Sequence, residues 1–350
     1  MIQKLQLRQF RNYTHLELEF THLLTIITGP NAIGKTNILE SIYVSMLTKS
    51  FRVTDSKLIQ QNTDFFTIDI ENDTDTIHLR LTSTQNSYKK QLKINTVPTV
   101  FKNYIGQNPV TLFEPTDLDL FSGHPINRRT YLDRIISQID QKYLQNLQAY
   151  KKLIVQRNSV LKAAKKTYNP NLQEQLFVYN LQIIQPAEYI TQARKVFITN
   201  IQKHINTYYM VISNESKKVH IDFLASANNK DELLKLLEDS QQHDIASTRT
   251  NVGPHREDFV TTLDSNVLND RASRGELRSL VLAFKLAELD YIEKSLHKRP
   301  TLLLDDVLSE LDEDRQNFLL GCLDKQQTFI TTTHLPANLT QEYQHITLPL

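Results

Sequence analysis

TGPNAIGKTN, residues 28–37, stands between the apolar run LLTII at 23–27 and the segment ILESIYVSML at 38–47, whose apolar positions recur at helical spacing. The order strand, loop, helix is the setting in which Gly29, Pro30, Asn31, Ala32, Ile33, Gly34, Lys35 and Thr36, an ungapped G-x-x-x-x-G-K-T, read as a phosphate-gripping loop. Consecutive backbone N–H groups in such a loop form an anion nest, and the following helix adds its positive N-terminal end. Lys35 is expected to reach the outer phosphates and Thr36 to ligate magnesium. The chain has only seven glycines in 350 residues, where about 24 are usual. Two of the seven fall here, so the residue is kept where backbone must approach a ligand or turn sharply.

A nucleotide site of this kind needs a second metal ligand at a strand end. PTLLLDD, residues 300–306, supplies one. An apolar run of buried-strand type delivers Asp305 and Asp306 to its C-terminal end, where open α/β sheets bind ligands. Asp305 is expected to hold magnesium, directly or through water. Asp306 points elsewhere by strand alternation and is expected to orient or deprotonate the attacking water. A helical stretch and a further strand, TFITTTHL at 328–335, follow and bring His334 to another strand end.

RASRGELRSLVLAFKLAELDYIEKSL, residues 271–296, opens a helix with Ser273, Arg274 and Gly275 at its start. It resembles the signature motif of ABC-type ATPases, whose serine and glycine close over the γ-phosphate held by the lysine loop of a second subunit. A helix N-terminus with a hydroxyl and an open glycine N–H is an anion clamp, and Arg274 adds positive charge.

FRNY at 10–13, GPNAIGKTN at 29–37, KSFR at 49–52, FEPTDLDLFSGHPINRRTYLD at 113–133, TNVGPHREDF at 250–259, SRGELRSL at 273–280 and LLLDDVLSELD at 302–312 span nearly the whole chain. In this order they resemble the RecF family, the recombination mediators of the SMC-like branch of ABC ATPases. The resemblance implies that Arg11 and Asn12 lie near the base and phosphates, that Asn37 belongs to the same cradle, and that Arg52 lies beside it. His334 matches the switch histidine of ABC proteins, and Glu276 stands where a glutamine is usual, which bears on the hydrolysis rate. Gly253 and Pro254 read as a tight turn after which His255 and Arg256 lead back into the ATPase sheet.

From Asn127 to Tyr168 the sequence reads as one long helix bounded by Pro125 and Pro170, with no glycine or proline inside. A second helical stretch, roughly Leu172–Ile205 with Pro186 as a kink, can pack against it antiparallel. SKKVHIDFLAS then reads as a strand and KDELLKLLEDS as a short helix. The expected architecture is therefore α/β: an ABC/SMC-type P-loop ATPase head with a mixed sheet, formed by 1–118 and 246–350, and an inserted mainly α-helical arm, 119–245.

Overall charge is nearly balanced, with 40 Lys plus Arg against 39 Asp plus Glu, so a nucleic-acid surface requires local segregation. The segment 128–166 supplies it: Arg128, Arg129, Arg134, Lys142, Lys151, Lys152, Arg157, Lys162, Lys165 and Lys166 face only Asp133 and Asp140. Such a helix can track phosphates, or it can be the solvated back of a hairpin; both readings stand. A single cysteine, Cys322, excludes an internal disulfide framework and fits a reducing compartment. With no apolar leader at the N-terminus and no run long enough to span a bilayer, the expectation is a soluble cytoplasmic protein without a membrane partner.

The cofactors expected are ATP and Mg2+. ATP is expected to bridge a homodimer, Lys35 and Thr36 of one protomer facing Ser273 and Gly275 of the other, closing a clamp on DNA that slow hydrolysis reopens. The resemblance implies loading at gapped or single-strand/double-strand junction DNA, partnership with RecR and RecO, and support of RecA filaments. A transporter's ATPase subunit shares the phosphate motifs but has no use for the basic insertion. A small-molecule kinase needs no signature helix.

Overall fold

A computed structural model describes residues 1–85, 87–268, 272–336 and 339–349. The chain divides into two compact units, the first comprising Met1–Leu118, Val211–Ser213 and Arg274–Leu350, the second Asp119–Met210 and Asn214–Ser273.

The first unit begins with β1 (Ile2–Phe10), β2 (Tyr13–Glu19), β3 (Leu24–Thr28) and α1 (Lys35–Leu47), followed by β4 (Phe65–Asn72), β5 (Thr76–Thr84), β6 (Ser87–Ile94), β7 (Val97–Pro98), α2 (Phe101–Tyr104) and β8 (Val110–Phe113). Strands β1, β4 and β5 set buried apolar residues opposite one another, Leu5 with Ile70, Leu7 with Ile68 and Ile68 with Leu79, as a sheet with one buried face requires. They join β2, β6 and β7 in a six-stranded antiparallel sheet of order β2-β1-β4-β5-β6-β7.

The second unit contains α3 (Asp119–Ser122), α4 (Pro125–Ile139), α5 (Gln141–Lys166), α6 (Leu172–Ser213, its last three residues in the first unit), β9 (Val219–Leu224), α7 (Lys230–Asp239), α8 (Gln241–Ser247), β10 (Asp258–Leu263) and β11 (Asn266–Val267). The expected single helix over 127–168 is two helices. Asp140 adopts extended backbone and its side chain accepts from Tyr143 N, capping α5. Pro186 lies within α6, which runs unbroken for 42 residues. α5 and α6 are antiparallel: Asp140 accepts from Tyr189 OH near one end, and Arg157 donates to Asn180 near the other.

Residues 246–273, expected with the head, cluster with the second unit because β10 pairs antiparallel with β9 over six residues. For the same reason the Gly253-Pro254 turn leads into this three-stranded sheet, ordered β11-β10-β9, and not into the ATPase sheet. His255 is half-buried there between Tyr150 OH and the carbonyl of Thr250, and the loss of solvent pushes its pKa down to about 4.

The chain returns to the first unit with α9 (Arg274–Leu296), β12 (Thr301–Asp305), α10 (Glu313–Gly321), β13 (Thr328–Thr332) and β14 (Tyr343–Thr347). These strands complete a parallel five-stranded sheet of order β14-β3-β13-β12-β8. Helix α1 touches strands of both sheets and is buried along most of its length. A helix enclosed in this way must be apolar on all sides, and ILESIYVSML meets the demand with only Glu40, Ser41 and Ser45 as polar exceptions. Ser41 and Ser45 donate back to the carbonyls of Ile38 and Ile42. Arg271, the first residue of the expected 271–296 stretch, lies outside the described residues.

Candidate nucleotide site

Parallel pairing brings the C-terminal ends of β3, β13 and β12 side by side, with Thr28 opposite Thr332 and Asp305 opposite Thr331. A cavity of 240 Å³ opens there, lined by Asn31, Ala32, Gly34, Lys35, Thr36, Asn37, Arg52, Asp305, Asp306 and Thr331.

The loop geometry follows from its residues. Gly34 takes φ +119, and a Cβ there would sit 2.6 Å from Asn12 Nδ2 and 2.7 Å from Tyr13 OH. Only glycine fits both the conformation and the space. Asn12 reaches into the loop through Nδ2 to Ile33 O at 2.9 Å and accepts from Asn37 Nδ2 at 2.8 Å. The Lys35 ammonium folds over the loop, donating to Gly29 O at 2.7 Å and Pro30 O at 3.0 Å. Those carbonyls hold the Lys35 charge against the loop.

Across the cavity Thr36 Oγ1 donates to Asp305 Oδ1 at 2.7 Å, and Thr331 Oγ1 donates to the same oxygen at 2.7 Å. Asp305 is 7% exposed. The hydroxyl and carboxylate expected as metal ligands are thus in direct contact, with oxygen donors of the type a hard cation takes. No group of three or more His, Cys, Asp or Glu suited to a metal occurs among the described residues.

Asp306 adopts left-handed backbone, φ 52, and its Oδ1 is buried with no hydrogen-bond partner. Burial pushes its carboxyl up from the ordinary value, partly opposed by the Lys35 charge. Asp306 lines the cavity, so its carboxyl is placed to take a proton or orient a water.

Arg11 does not line the cavity. It grips Glu40 through Nε at 2.7 Å and Nη2 at 3.1 Å. His334 is exposed beyond β13, outside the lining. Arg274 opens α9 and is exposed, and neither it nor Gly275 lines the cavity; Ser273, also exposed, ends the second unit. Thr331 and Glu40 were not among the residues singled out from the sequence. A threonine in TFITTTHL has no local mark, and a glutamate in a helix reads as a solvated face.

The donor set fits a nucleoside triphosphate with magnesium: an ammonium, a helix N-terminus and a glycine with no room for a Cβ lie on one side, a paired hydroxyl and carboxylate on the other.

The model of the family described as RecF/RecN/SMC N terminal domain matches residues 1–347. A protein of Ruminiclostridium cellulolyticum named DNA replication and repair protein RecF is 33% identical over 354 residues, covering 95% of this chain and 93% of its own. One of the same name from Streptococcus suis is 37% identical over 356 residues, with the same coverage. Among solved structures, the recombination mediator protein RecF-ATPrS in the RecFOR pathway matches with TM-score 0.89 and 29% identity over 99% of this chain and 96% of that one. The corresponding RecF-ATP structure gives 0.88 and 30% over 96% and 93%. An Smc head domain of Pyrococcus furiosus, at 16% identity and TM-score 0.51 over 95% of this chain and 89% of that one, shares the fold.

Proposed function

The chain belongs to the RecF/RecN/SMC N-terminal domain family, and on that premise we propose that it is an ATP-driven DNA-binding recombination mediator of the RecF type. The observation that carries the reading is the meeting of Lys35, Thr36 and Asp305 around one cavity at the strand ends.

ATP would lie with its phosphates along residues 29–37, Lys35 neutralising the outer ones. Thr36 and Asp305 would hold magnesium, which supplies charge neutralisation for phosphoryl transfer. Asp306, at the cavity wall, would take the proton of the attacking water. Ser273, Arg274 and Gly275 would complete the site of a second copy. A ligand shifts a conformational equilibrium only by its differential affinity for the two states, so a γ-phosphate gripped by both copies favours the closed dimer and hydrolysis releases it. Closure on gapped or junction DNA, with RecR and RecO as partners and RecA filaments as the beneficiary, completes the proposal; weak, DNA-dependent turnover suits a switch.

Sedimentation with gapped DNA, with and without ATP, tests these parts together. Wild type is expected to co-sediment with DNA only when ATP is present, and Lys35→Met to remain free. A transporter-type ATPase or a kinase would show no ATP-dependent DNA binding, and that result would end this reading. Among the described residues no helix is long and apolar enough to cross a membrane.

A further inference from the structure

Glu40 lies on α1 five residues beyond Lys35 and is 0% exposed. Taking a carboxylate out of water is strongly unfavourable unless it is paired and hydrogen-bonded. Its partners come from two separate stretches of chain. Arg11, in the turn after β1, forks onto both oxygens through Nε and Nη2, at 2.7 and 3.1 Å. Arg52, in the segment after α1, donates from Nη2 to Oε2 at 3.2 Å. Ser50 Oγ donates to Oε1 and itself accepts the backbone N–H groups of Arg52 and Val53, at 2.9 and 3.1 Å. Burial alone would push the Glu40 carboxyl up, but the hydrogen bonds from Arg11 and Ser50 and the charge of Arg52 outweigh it and hold it below the ordinary value.

The two arginines are used differently. Arg11 has its remaining Nη1 on Lys57 O at 3.1 Å and stays out of the cavity lining. Arg52 lines the cavity, and its Nη2 also donates to Asn37 Oδ1 at 2.8 Å. Two guanidiniums on one carboxylate leave a net positive charge at the wall, and only Arg52 presents it to the cavity.

We infer that Glu40 is a positioning residue for nucleotide binding, holding Arg52 against the cavity wall beside Asn37, with Arg11 as the strut that keeps the buried carboxylate in place. This rests on the reading of the cavity as a triphosphate site. A purely structural staple would also be buried and paired, so loss of stability in a Glu40 variant does not separate the two. A double-mutant cycle does, because coupled residues are non-additive in the property they share.

Dissociation constants for a fluorescent methylanthraniloyl-ATP with Mg2+ are measured on folded wild type, Glu40→Gln, Arg52→Ala, the double variant and Lys35→Ala. Glu40→Gln and Arg52→Ala are each expected to weaken binding about tenfold, and the double variant to bind no more weakly than Arg52→Ala alone. Unchanged affinity in Glu40→Gln, or two losses that multiply to about a hundredfold, overturns the proposal. If Glu40→Gln does not stay folded, Glu40→Asp, which retracts the charge by one methylene, carries the same cycle with a severalfold loss expected in the wild-type background and none beside Arg52→Ala; an equal loss in both overturns it. Wild-type affinity in Lys35→Ala would instead sink the triphosphate reading, and the role of Glu40 with it.

Discussion

Asp306 combines left-handed backbone with a buried carboxylate oxygen that nothing satisfies. Both features cost stability, and such costs persist where surrounding structure over-determines them, often beside a reacting centre. Its folded pKa is raised above the ordinary carboxylate value, chiefly by burial, so the folded protein binds that proton more tightly than the unfolded chain. Stability is therefore lost as pH climbs from the ordinary carboxylate value through the raised folded one. Asp306→Asn is expected to exceed wild type in urea midpoint by a margin that opens over that window and is flat above it, while ATP hydrolysis falls and ATP binding persists. A margin independent of pH would assign the effect to strain alone. Gly34→Ala meets both the φ of +119 and the Asn12 side chain. It is expected to cost about 1–3 kcal/mol in a urea titration and to abolish nucleotide binding.

The helical elements of the second unit show how one residue can divide a periodic pattern. Asp140 ends α4 and caps α5 while accepting from Tyr189 OH at 2.7 Å. Asp140→Ala is expected to lower stability by about 1 kcal/mol in chemical denaturation. The basic stripe on these helices is smaller than its residue count. Arg157 is 0% exposed, donating to Asp244 Oδ2 at 2.6 Å and to Thr250 and Asn180. Arg128 is buried on both oxygens of Asp258. Arg157→Ala is expected to cost about 3–5 kcal/mol by stranding Asp244, whereas Lys152→Ala, at an exposed position, should change stability by less than about 0.5 kcal/mol. Lys162, Lys165 and Lys166 remain exposed at the end of α5. If this end meets DNA, replacing all three by Ala lowers the slope of log affinity against log salt by about 2–3; an unchanged slope assigns the phosphates to another surface.

For the whole molecule the central expectation is a nucleotide-dependent mass. Light scattering with saturating ATP and Mg2+ is expected to report a dimer, and Ser273→Arg to report a monomer that still binds ATP, because its own residues 29–37 are intact. A wild-type monomer at saturating ATP would remove the trans-clamp from the proposal. Loss of ATP binding in Ser273→Arg would place that serine's contribution within a single chain.

The strand-loop-helix order around Lys35, the two aspartates at the end of β12 and the helix that starts at Arg274 were legible in the sequence, because turn chemistry and hydrophobic period act over a few residues and leave their pattern in order. Three features were not. β13 carries Thr331 to Asp305 by pairing with β12, and on its other side it joins β3, a strand hundreds of residues earlier in the chain. The return of 250–263 to pair with β9 moved a boundary by nearly thirty residues. Burial of Glu40, Arg128 and Arg157 turned charges with no local mark of burial into internal pairs. Neighbourhood in a sheet and desolvation of a charge are set by packing between distant segments, and a linear pattern holds no measure of either until the chain closes on itself.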